Sequence, residues 1–292
     1  MKFADVFPFK RLPVPNLSGL PKLPGFSTLQ SLLDPGAGTP DESRPSTLLM
    51  LLEGRALWEL SALPLALPWL MARVPHGDGH PVLVLPGLMA SDASTLPLRS
   101  FLSGRGYEVI GWGQGRNFGP RDGVLAQMRQ TLADIHARTG RTTSVIGWSL
   151  GGVYARELAR AAPNLVRQVI SLGSPLYGSP ENSSNAWGVY KMVSGRRGVE
   201  THERGDGPPP VPTTSIFTRG DGIVGWGCCI EKKGPQTDNI EIVGATHVGL
   251  GVNPLVLYAV GDRLAQPEGE WTHFKPRGLE SRLYPASSPD RP

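Results

Sequence analysis

Cysteine, long apolar runs and clusters of basic charge are all scarce in this sequence. Its two cysteines, Cys228 and Cys229, are neighbours in a chain of 292 residues, which excludes a disulfide framework and favours reduced thiols. The N-terminal stretch lacks the run of roughly 7 to 15 apolar residues that a secretory signal contains. We therefore expect a cytoplasmic protein.

The charge distribution excludes one class of partner. The net charge is +4, but the basic residues are scattered, and the densest pairs are Arg196-Arg197 and Lys232-Lys233. A nucleic-acid-binding surface shows a basic stripe with interleaved aromatic side chains. We therefore expect no nucleic-acid partner.

Two short patterns resemble cofactor sites but lack what such sites need. His76 and His80 have the spacing of metal ligands, but two glycines lie between them and a proline follows, which favours a turn. Gly113 and Gly115 follow a predicted strand as in dinucleotide-binding loops, but Phe118 stands where the third glycine belongs. We predict neither a metal ion nor a cofactor.

Residues 46–73 form an apolar stretch nearly long enough to cross a bilayer. A spanning helix would bury Glu53 and Glu59, at a cost of about 2.5 to 3.5 kcal/mol for each charge near the midplane. The stretch also contains Pro64 and Pro68. We predict a pair of short helices packed on the main domain. The alternatives are shallow attachment at a membrane surface, or an apolar wall that faces the substrate.

The chain divides into four predicted parts. They are a proline-rich arm at 1–45, an apolar helical segment at 46–78, an α/β domain at 79–265 with an inserted cap or lid at about 174–212, and a polar tail at 266–292. The α/β domain alternates strands, predicted at 82–85, 107–112, 144–146, 165–172, 213–218 and 239–243, with helices predicted at 96–103, 122–139, 150–162 and 253–261. This alternation predicts a mostly parallel, doubly wound sheet with helices on both faces.

A glycine-rich turn at the centre of the domain is the strongest chemical signal. Ser149 lies in Gly147-Trp148-Ser149-Leu150-Gly151, between a short apolar strand and an apolar helix. At this composition the G-x-S-x-G pattern alone is expected about 0.35 times by chance, so the flanking strand and helix carry the argument. On a sharp strand-to-helix turn the hydroxyl of Ser149 is lifted off the end of the sheet, which suits a nucleophile.

A serine nucleophile needs a base and an acid at the same edge of the sheet. Asp221 follows the strand predicted at 213–218, and His247 follows the strand predicted at 239–243. Along the chain the three residues come in the order Ser, Asp, His, each after a separate predicted strand. Asp221 could instead be a plain turn residue and His247 a cap. Asp206 and Asp238 are the substitutes for the acid.

The reaction also needs two backbone N–H groups for the developing oxyanion. The amide of Leu150, directly after the serine, is the first candidate. The amide of Leu88, in the loop after the first strand, is the second, with Met89 next. Candidate residues of the substrate pocket are Met89, Trp148 and Asn117, and Asn117 could equally stabilise a loop.

In these motifs the chain resembles the α/β-hydrolase superfamily, and within it the bacterial lipase and esterase branch. The matching residues, within 79–262, are Leu85-Pro86-Gly87-Leu88, Gly147-Trp148-Ser149-Leu150-Gly151-Gly152, Gly173-Ser174-Pro175, Gly220-Asp221-Gly222-Ile223-Val224 and His247-Val248-Gly249. The resemblance implies the α/β-hydrolase fold and a triad of Ser149, Asp221 and His247. The family's oxyanion loop often begins with His-Gly, where this chain has Pro86-Gly87.

Together these observations predict a metal-independent serine hydrolase that cleaves a small-molecule carboxylic ester through an acyl-enzyme. The apolar segment and the cap predict an apolar acyl group. One alternative is acyl transfer to an acceptor other than water by the same triad. The other is a non-catalytic relative that binds an apolar ligand or a partner. The sequence does not indicate an oligomeric state.

Overall fold

Within the residues that the structure describes, the domain is built on a six-stranded, all-parallel sheet. The computed structural model describes residues 41–194, 207–276 and 278–285, so most of the predicted arm and part of the predicted cap lie outside the described residues. The strands are β1 (Pro81–Leu85), β2 (Glu108–Ile110), β3 (Thr143–Trp148), β4 (Val166–Leu172), β5 (Thr213–Phe217) and β6 (Thr237–Glu241). Their order in the sheet is β2-β1-β3-β4-β5-β6. The predicted site residues follow β3 in the middle of the sheet and β5 and β6 at one side of it.

Helices cover both faces of this sheet. They are α1 (Thr47–Leu51), α2 (Ala56–Arg73), α3 (Leu96–Gly104), α4 (Val124–Thr139), α5 (Leu150–Ala161), α6 (Pro180–Ser183), α7 (Trp187–Ser194) and α8 (Pro254–Leu264), with short 3-10 turns between some of them. Side chains alternate along β1: Val82 and Val84 pack with α2, α3 and α8, whereas Leu83 and Leu85 pack with α4 and α5. The predicted doubly wound sheet with helices on both faces is confirmed.

The last strand begins and ends two residues earlier than predicted. The alternation of Ile240 and Ile242 suggested a strand at 239–243, but β6 runs from Thr237 to Glu241. Its pairing with β5 explains the difference, because Phe217, the last residue of β5, is the partner of Glu241. The ladder ends where the partner strand ends. His247 therefore has a loop of five residues before it.

The apolar segment forms one long helix after a short one, not two short helices. Helix α2 continues through both Pro64 and Pro68. Each proline leaves a carbonyl without its intrahelical donor, at Leu60 and at Pro64. These residues lie on the exposed face of the helix, where water can bind the carbonyl groups. Within the described residues, no helix is both long enough and apolar enough to cross a membrane.

Candidate active site

Ser149 occupies a strained turn between β3 and α5. Its backbone angles are φ 54° and ψ −120°, in a region that a residue with a β-carbon adopts only at a cost of roughly 1 to 3 kcal/mol. Among the described residues, Met89 is the one other non-glycine residue with positive φ. The two strained residues belong to the two loops predicted to carry the nucleophile and the oxyanion donor.

Three glycines make this turn sterically possible. A β-carbon on Gly147 would lie 2.2 Å from the carbonyl oxygen of Gly151. On Gly151 it would lie 2.3 Å from the carbonyl oxygen of Leu85, and on Gly152 it would lie 2.0 Å from Ser174 Oγ. Helix α5 therefore crosses β1, β3 and the loop after β4 at distances that only glycine permits. This packing holds Ser149 at the carboxyl edge of the sheet.

Asp221 and His247 are hydrogen-bonded partners. Asp221 Oδ2 and His247 Nδ1 are 2.6 Å apart, and both side chains are buried. The other carboxylate oxygen, Oδ1, accepts from the amides of Ile223 at 2.8 Å and Val224 at 2.7 Å. The two amides fix the direction of the carboxylate, and the carboxylate fixes the ring. This arrangement leaves the Nε2 atom of His247 for a second partner.

The Asp221–His247 pair lies over the end of β4, the strand next to β3. A β-carbon on Gly173, just after β4, would lie 3.1 Å from His247 Nδ1 and 3.2 Å from Asp221 Oδ2. The Trp148 indole N–H donates to the carbonyl oxygen of His247 at 3.1 Å. Within the described residues, Ser149 Oγ makes no direct hydrogen bond to His247. Such bonds are often long in enzymes without substrate and shorten in the reacting complex.

Electrostatics around His247 favour the charged imidazolium. Burial by itself lowers the pKa of this imidazole. The charge and hydrogen bond of Asp221, and then the charge of Glu53, outweigh burial and raise the pKa of His247 above its ordinary value of about 6.5. A raised pKa stabilises the imidazolium that forms when a histidine takes a proton from a serine.

The loop after β1 lies against the Ser149 turn. A β-carbon on Gly87 would be 3.2 Å from the Ser149 β-carbon, so the backbone of this loop approaches the serine closely. The amide of Met89 donates to the carbonyl of Asn117 at 2.6 Å, which occupies it. Within the described residues, no hydrogen bond occupies the amides of Leu88 and Leu150. Leu88 is therefore a better candidate than Met89 for the second oxyanion donor.

The three predicted pocket residues occupy different environments. Met89 is 36% exposed at the rim of the β1 loop. Trp148 packs on the core and holds the His247 loop through its indole N–H. Asn117 is 1% exposed, and its side chain donates to the carbonyl of Pro86 and accepts from the amide of Gly119. The geometry gives Asn117 the loop-stabilising role rather than a place in the pocket wall.

Asp238, one of the two substitute acids, is not positioned to orient His247. Asp238 lies in β6, and its Oδ2 accepts from the backbone amide of Phe274 at 2.5 Å and from Arg263 at 3.4 Å. Asp206 falls outside the described residues. Asp221 is therefore the carboxylate that contacts the ring.

Another serine, histidine and aspartate form a series of hydrogen bonds at the opposite, amino-terminal edge of the sheet. His80 Nδ1 is 2.5 Å from Asp78 Oδ1, and His80 Nε2 is 2.8 Å from Ser144 Oγ. Burial lowers the pKa of His80 to about 4, although the hydrogen bond to Asp78 acts against it. Both His80 and Ser144 are fully buried. A substrate has no access to this serine, so these three hydrogen-bonded side chains have a structural role.

Two carboxylates that sequence reasoning did not assign to the site contact its loops. Glu53 and Glu59, from the helical segment before β1, accept hydrogen bonds from the backbone around His247. The signal that could have found them is their presence as acidic residues in an otherwise apolar stretch. From the sequence alone, these two charges indicate only that the stretch does not span a membrane.

One cavity of the described part of the chain lies away from these residues. It has a volume of about 620 Å³ and lies along the edge strand β6, where Lys233, Glu241 and His273 are among its lining residues. Neither Ser149, Asp221 nor His247 lines it. This cavity is therefore separate from the candidate site.

Comparisons with known proteins agree with this architecture. No family model matches the chain. The protein is 28% identical over 127 residues to serine hydrolase BPHL of Mus musculus, a match that covers 40% of this chain and 43% of the mouse protein. Lipase B of Aspergillus fumigatus superposes with a TM-score of 0.53 at 17% identity, over 70% of this chain and 58% of the lipase. The chain thus spans less than two thirds of the length of either protein.

The sheet order, the covering helices and the superposition together identify the architecture. The chain has the α/β-hydrolase fold. In open sheets of this kind, ligands bind at the carboxyl ends of the strands. Ser149, Asp221 and His247 follow the carboxyl ends of β3, β5 and β6.

Proposed function

We propose that this protein is a serine hydrolase that cleaves carboxylic esters through an acyl-enzyme on Ser149. The observation that carries the proposal is the 2.6 Å hydrogen bond between Asp221 and His247 at the sheet edge where Ser149 is held in a strained turn. An aspartate bonded to Nδ1 keeps the proton on that nitrogen. Nε2 is then a base for a serine hydroxyl.

The proposed reaction uses each of these groups in turn. His247 Nε2 takes the proton of Ser149 as its oxygen attacks the ester carbonyl carbon. The amides of Leu88 and Leu150 donate to the oxyanion, and each such donor contributes about 10² to 10³ in rate. The imidazolium then protonates the leaving alcohol. Water, deprotonated by His247, hydrolyses the acyl-enzyme and releases the free acid.

Covalent labelling tests this chemistry directly. We expect a fluorophosphonate probe to label the purified protein and the adduct to map to Ser149 within the tryptic peptide 142–156, which also contains Ser144. We further expect release of free acid from p-nitrophenyl esters, at a yield that added alcohols or thioesters leave unchanged. Ester products with the added acceptor would instead identify an acyltransferase. Absence of any adduct would favour a binding module.

The exposed surface of the helical segment supports an apolar acyl group and contact with a lipid surface. Leu57, Trp58 and Leu65 are 73, 78 and 85% exposed. Between Leu57 and Ala72, no exposed residue of α2 is charged. Monomeric soluble proteins rarely expose a contiguous apolar face that includes several large side chains. The same segment holds the His247 loop, so a lipid surface on this face would lie near the proposed site.

Vesicle binding tests the lipid contact. We expect the protein to sediment with phosphatidylcholine vesicles and the double variant Leu57→Glu, Leu65→Glu to partition at least tenfold less, because each buried leucine contributes roughly 1.5 to 3 kcal/mol. The matched control is Leu125→Glu. Leu125 lies on α4, on another surface of the protein, and is 39% exposed. Equal partition of all three proteins would exclude a lipid-binding role for this face. A dimer that only the double variant loses would assign the face to a second copy.

A further inference from the structure

Glu53 bridges the two loops that carry the acid and the base of the proposed triad. It lies in the 3-10 turn Leu52–Arg55, between α1 and α2. Its Oε1 accepts from the amide of Gly222 at 2.7 Å and from the amide of His247 at 3.0 Å. Its Oε2 accepts from the amide of Val248 at 2.9 Å. One carboxylate thus binds the residue after Asp221 and the backbone of the base itself.

Glu59 binds the same loop one turn further along. Its Oε1 accepts from the amide of Thr246 at 2.9 Å and from the Thr246 hydroxyl at 2.7 Å. Its Oε2 accepts from Asn253 Nδ2 at 2.6 Å. Together, Glu53 and Glu59 accept hydrogen bonds from the backbone amides of three consecutive residues, 246, 247 and 248. The loop therefore has little freedom to move relative to the helical segment.

Close packing fixes the segment from which Glu53 projects. A β-carbon on Gly222 would lie 2.4 Å from the carbonyl oxygen of Leu49 in α1, so this helix touches the acid loop. A β-carbon on Gly249 would lie 2.1 Å from Glu59 Oε1. The segment contacts the acid loop and the base loop without a gap. A carboxylate held in this way sets the distance between those loops.

We propose that Glu53 is a positioning residue for His247, which fixes the base relative to Asp221 and adds a negative charge beside the imidazole. The proposal rests on the proposed function, since His247 is the base only if Ser149 is the nucleophile. Simple capping of the 3-10 turn Gly249–Gly251 would explain the bonds to His247 and Val248. It does not explain the third bond, to Gly222 on a different loop.

The charges around His247 decide the sign of the expected effect. Asp221 bonds the ring, and Glu53 bonds the backbone amide of the same residue. Glu59 contacts the loop through Thr246, and the Arg55 guanidinium lies near Gly220 on the acid loop. Burial lowers the pKa of His247, and the charges of Asp221 and Glu53 raise it. Removing the charge of Glu53 therefore lowers this pKa. The base must be neutral to accept a proton, so activity extends to lower pH.

Kinetics of Glu53→Gln test the proposal. We expect kcat to fall about 10-fold to 100-fold, since a displaced base loses rate steeply with distance, while KM changes less than threefold. The acidic limb of the pH profile of kcat/KM moves to lower pH. Glu53→Asp keeps the charge and is expected to leave the limb in place. Glu157→Gln is the matched control, because Glu157 pairs with Arg160 on the surface of α5 and should leave both parameters unchanged.

A second measurement separates this proposal from the proposed function. NMR titration of the His247 ring, assigned with His247→Gln, reports its pKa whether or not any ester is turned over. We expect a lower pKa in Glu53→Gln than in the wild type, and faster exchange of the amides of His247 and Val248. An unlabelled wild-type Ser149 would refute the hydrolase. An unchanged ring titration in folded Glu53→Gln, with only a lower melting temperature, would overturn the role of Glu53.

Discussion

Replacing Ser149 with alanine is expected to lower kcat for ester hydrolysis by about six orders of magnitude. The substitution removes the oxygen that forms the acyl-enzyme but leaves the Asp221–His247 bond, the oxyanion amides and the glycine contacts in place. Alanine also tolerates the positive φ of this position no worse than serine does. We therefore expect a folded protein whose fluorophosphonate labelling is lost. Turnover by Ser149→Ala within tenfold of the wild type would show that the nucleophile lies elsewhere.

Ser144→Ala provides the matched control. Ser144 lies in β3, the strand that ends just before Ser149, and it bonds a histidine that is bonded to an aspartate. Its removal leaves His80 Nε2 without a partner in the core, which is expected to cost about 1 to 3 kcal/mol of stability. Labelling and kcat are expected to stay at wild-type values. Comparison of the two variants thus separates loss of chemistry from loss of a buried hydrogen bond.

The contrast between these two serines shows what makes a site in this fold. Ser144 Oγ bonds His80, which bonds Asp78, yet Ser144 lies at the amino-terminal edge of the sheet and has no access to solvent. Burial there lowers the pKa of His80 to about 4. At the carboxyl edge, carboxylates raise the pKa of His247. Only the second environment stabilises the imidazolium that the reaction needs.

The sequence predicted the features that depend on neighbours along the chain. The turn at Ser149 follows from glycines on both sides of it, and the fully covered strands follow from continuous apolar runs. Asp221 was predicted from its position after a strand, and the structure brings it within hydrogen-bond distance of His247. A position after a strand indicates such proximity because the carboxyl ends of parallel strands converge at one edge.

Features that depend on distant contacts were not predictable in this way. Glu53 binds the His247 amide across a separation of 194 residues. The local sequence around either residue does not indicate that the two meet. The path of α2 through two prolines depends on which face meets water. The end of β6 depends on where β5 ends. In each case a tertiary contact decides what the local sequence leaves open.

The structure also connects the apolar surface with the proposed chemistry. Helix α2 exposes leucines to solvent on one face, and Glu59 projects from the same helix to the His247 loop. Glu53 does so from the turn that precedes it. A displacement of this segment would therefore move the base relative to the acid. The vesicle experiment tests whether the exposed face of α2 binds lipid. The Glu53 variants test whether the segment positions His247.

Replacing Asp221 with asparagine is expected to lower kcat by about 10⁴. The asparagine oxygen can still accept from the amides of Ile223 and Val224, so its NH₂ group must face His247. The ring then has to accept at Nδ1 and carry its proton on Nε2. In that tautomer Nε2 cannot take the proton of Ser149. The variant keeps the geometry of the site but loses the base. Steady-state kinetics on the folded variant measure the resulting fall in kcat.

Asp238→Asn is the matched control for the acid. Asp238 bonds Arg263 and the amide of Phe274 in the C-terminal segment, so its substitution should lower the melting temperature and leave kcat unchanged. Fluorophosphonate labelling of Asp221→Asn should be slowed by a factor similar to that for turnover, because both reactions need the same base. A loss below tenfold in Asp221→Asn would show that His247 keeps its reactive tautomer without Asp221. The 2.6 Å bond between the two residues would then be structural rather than catalytic.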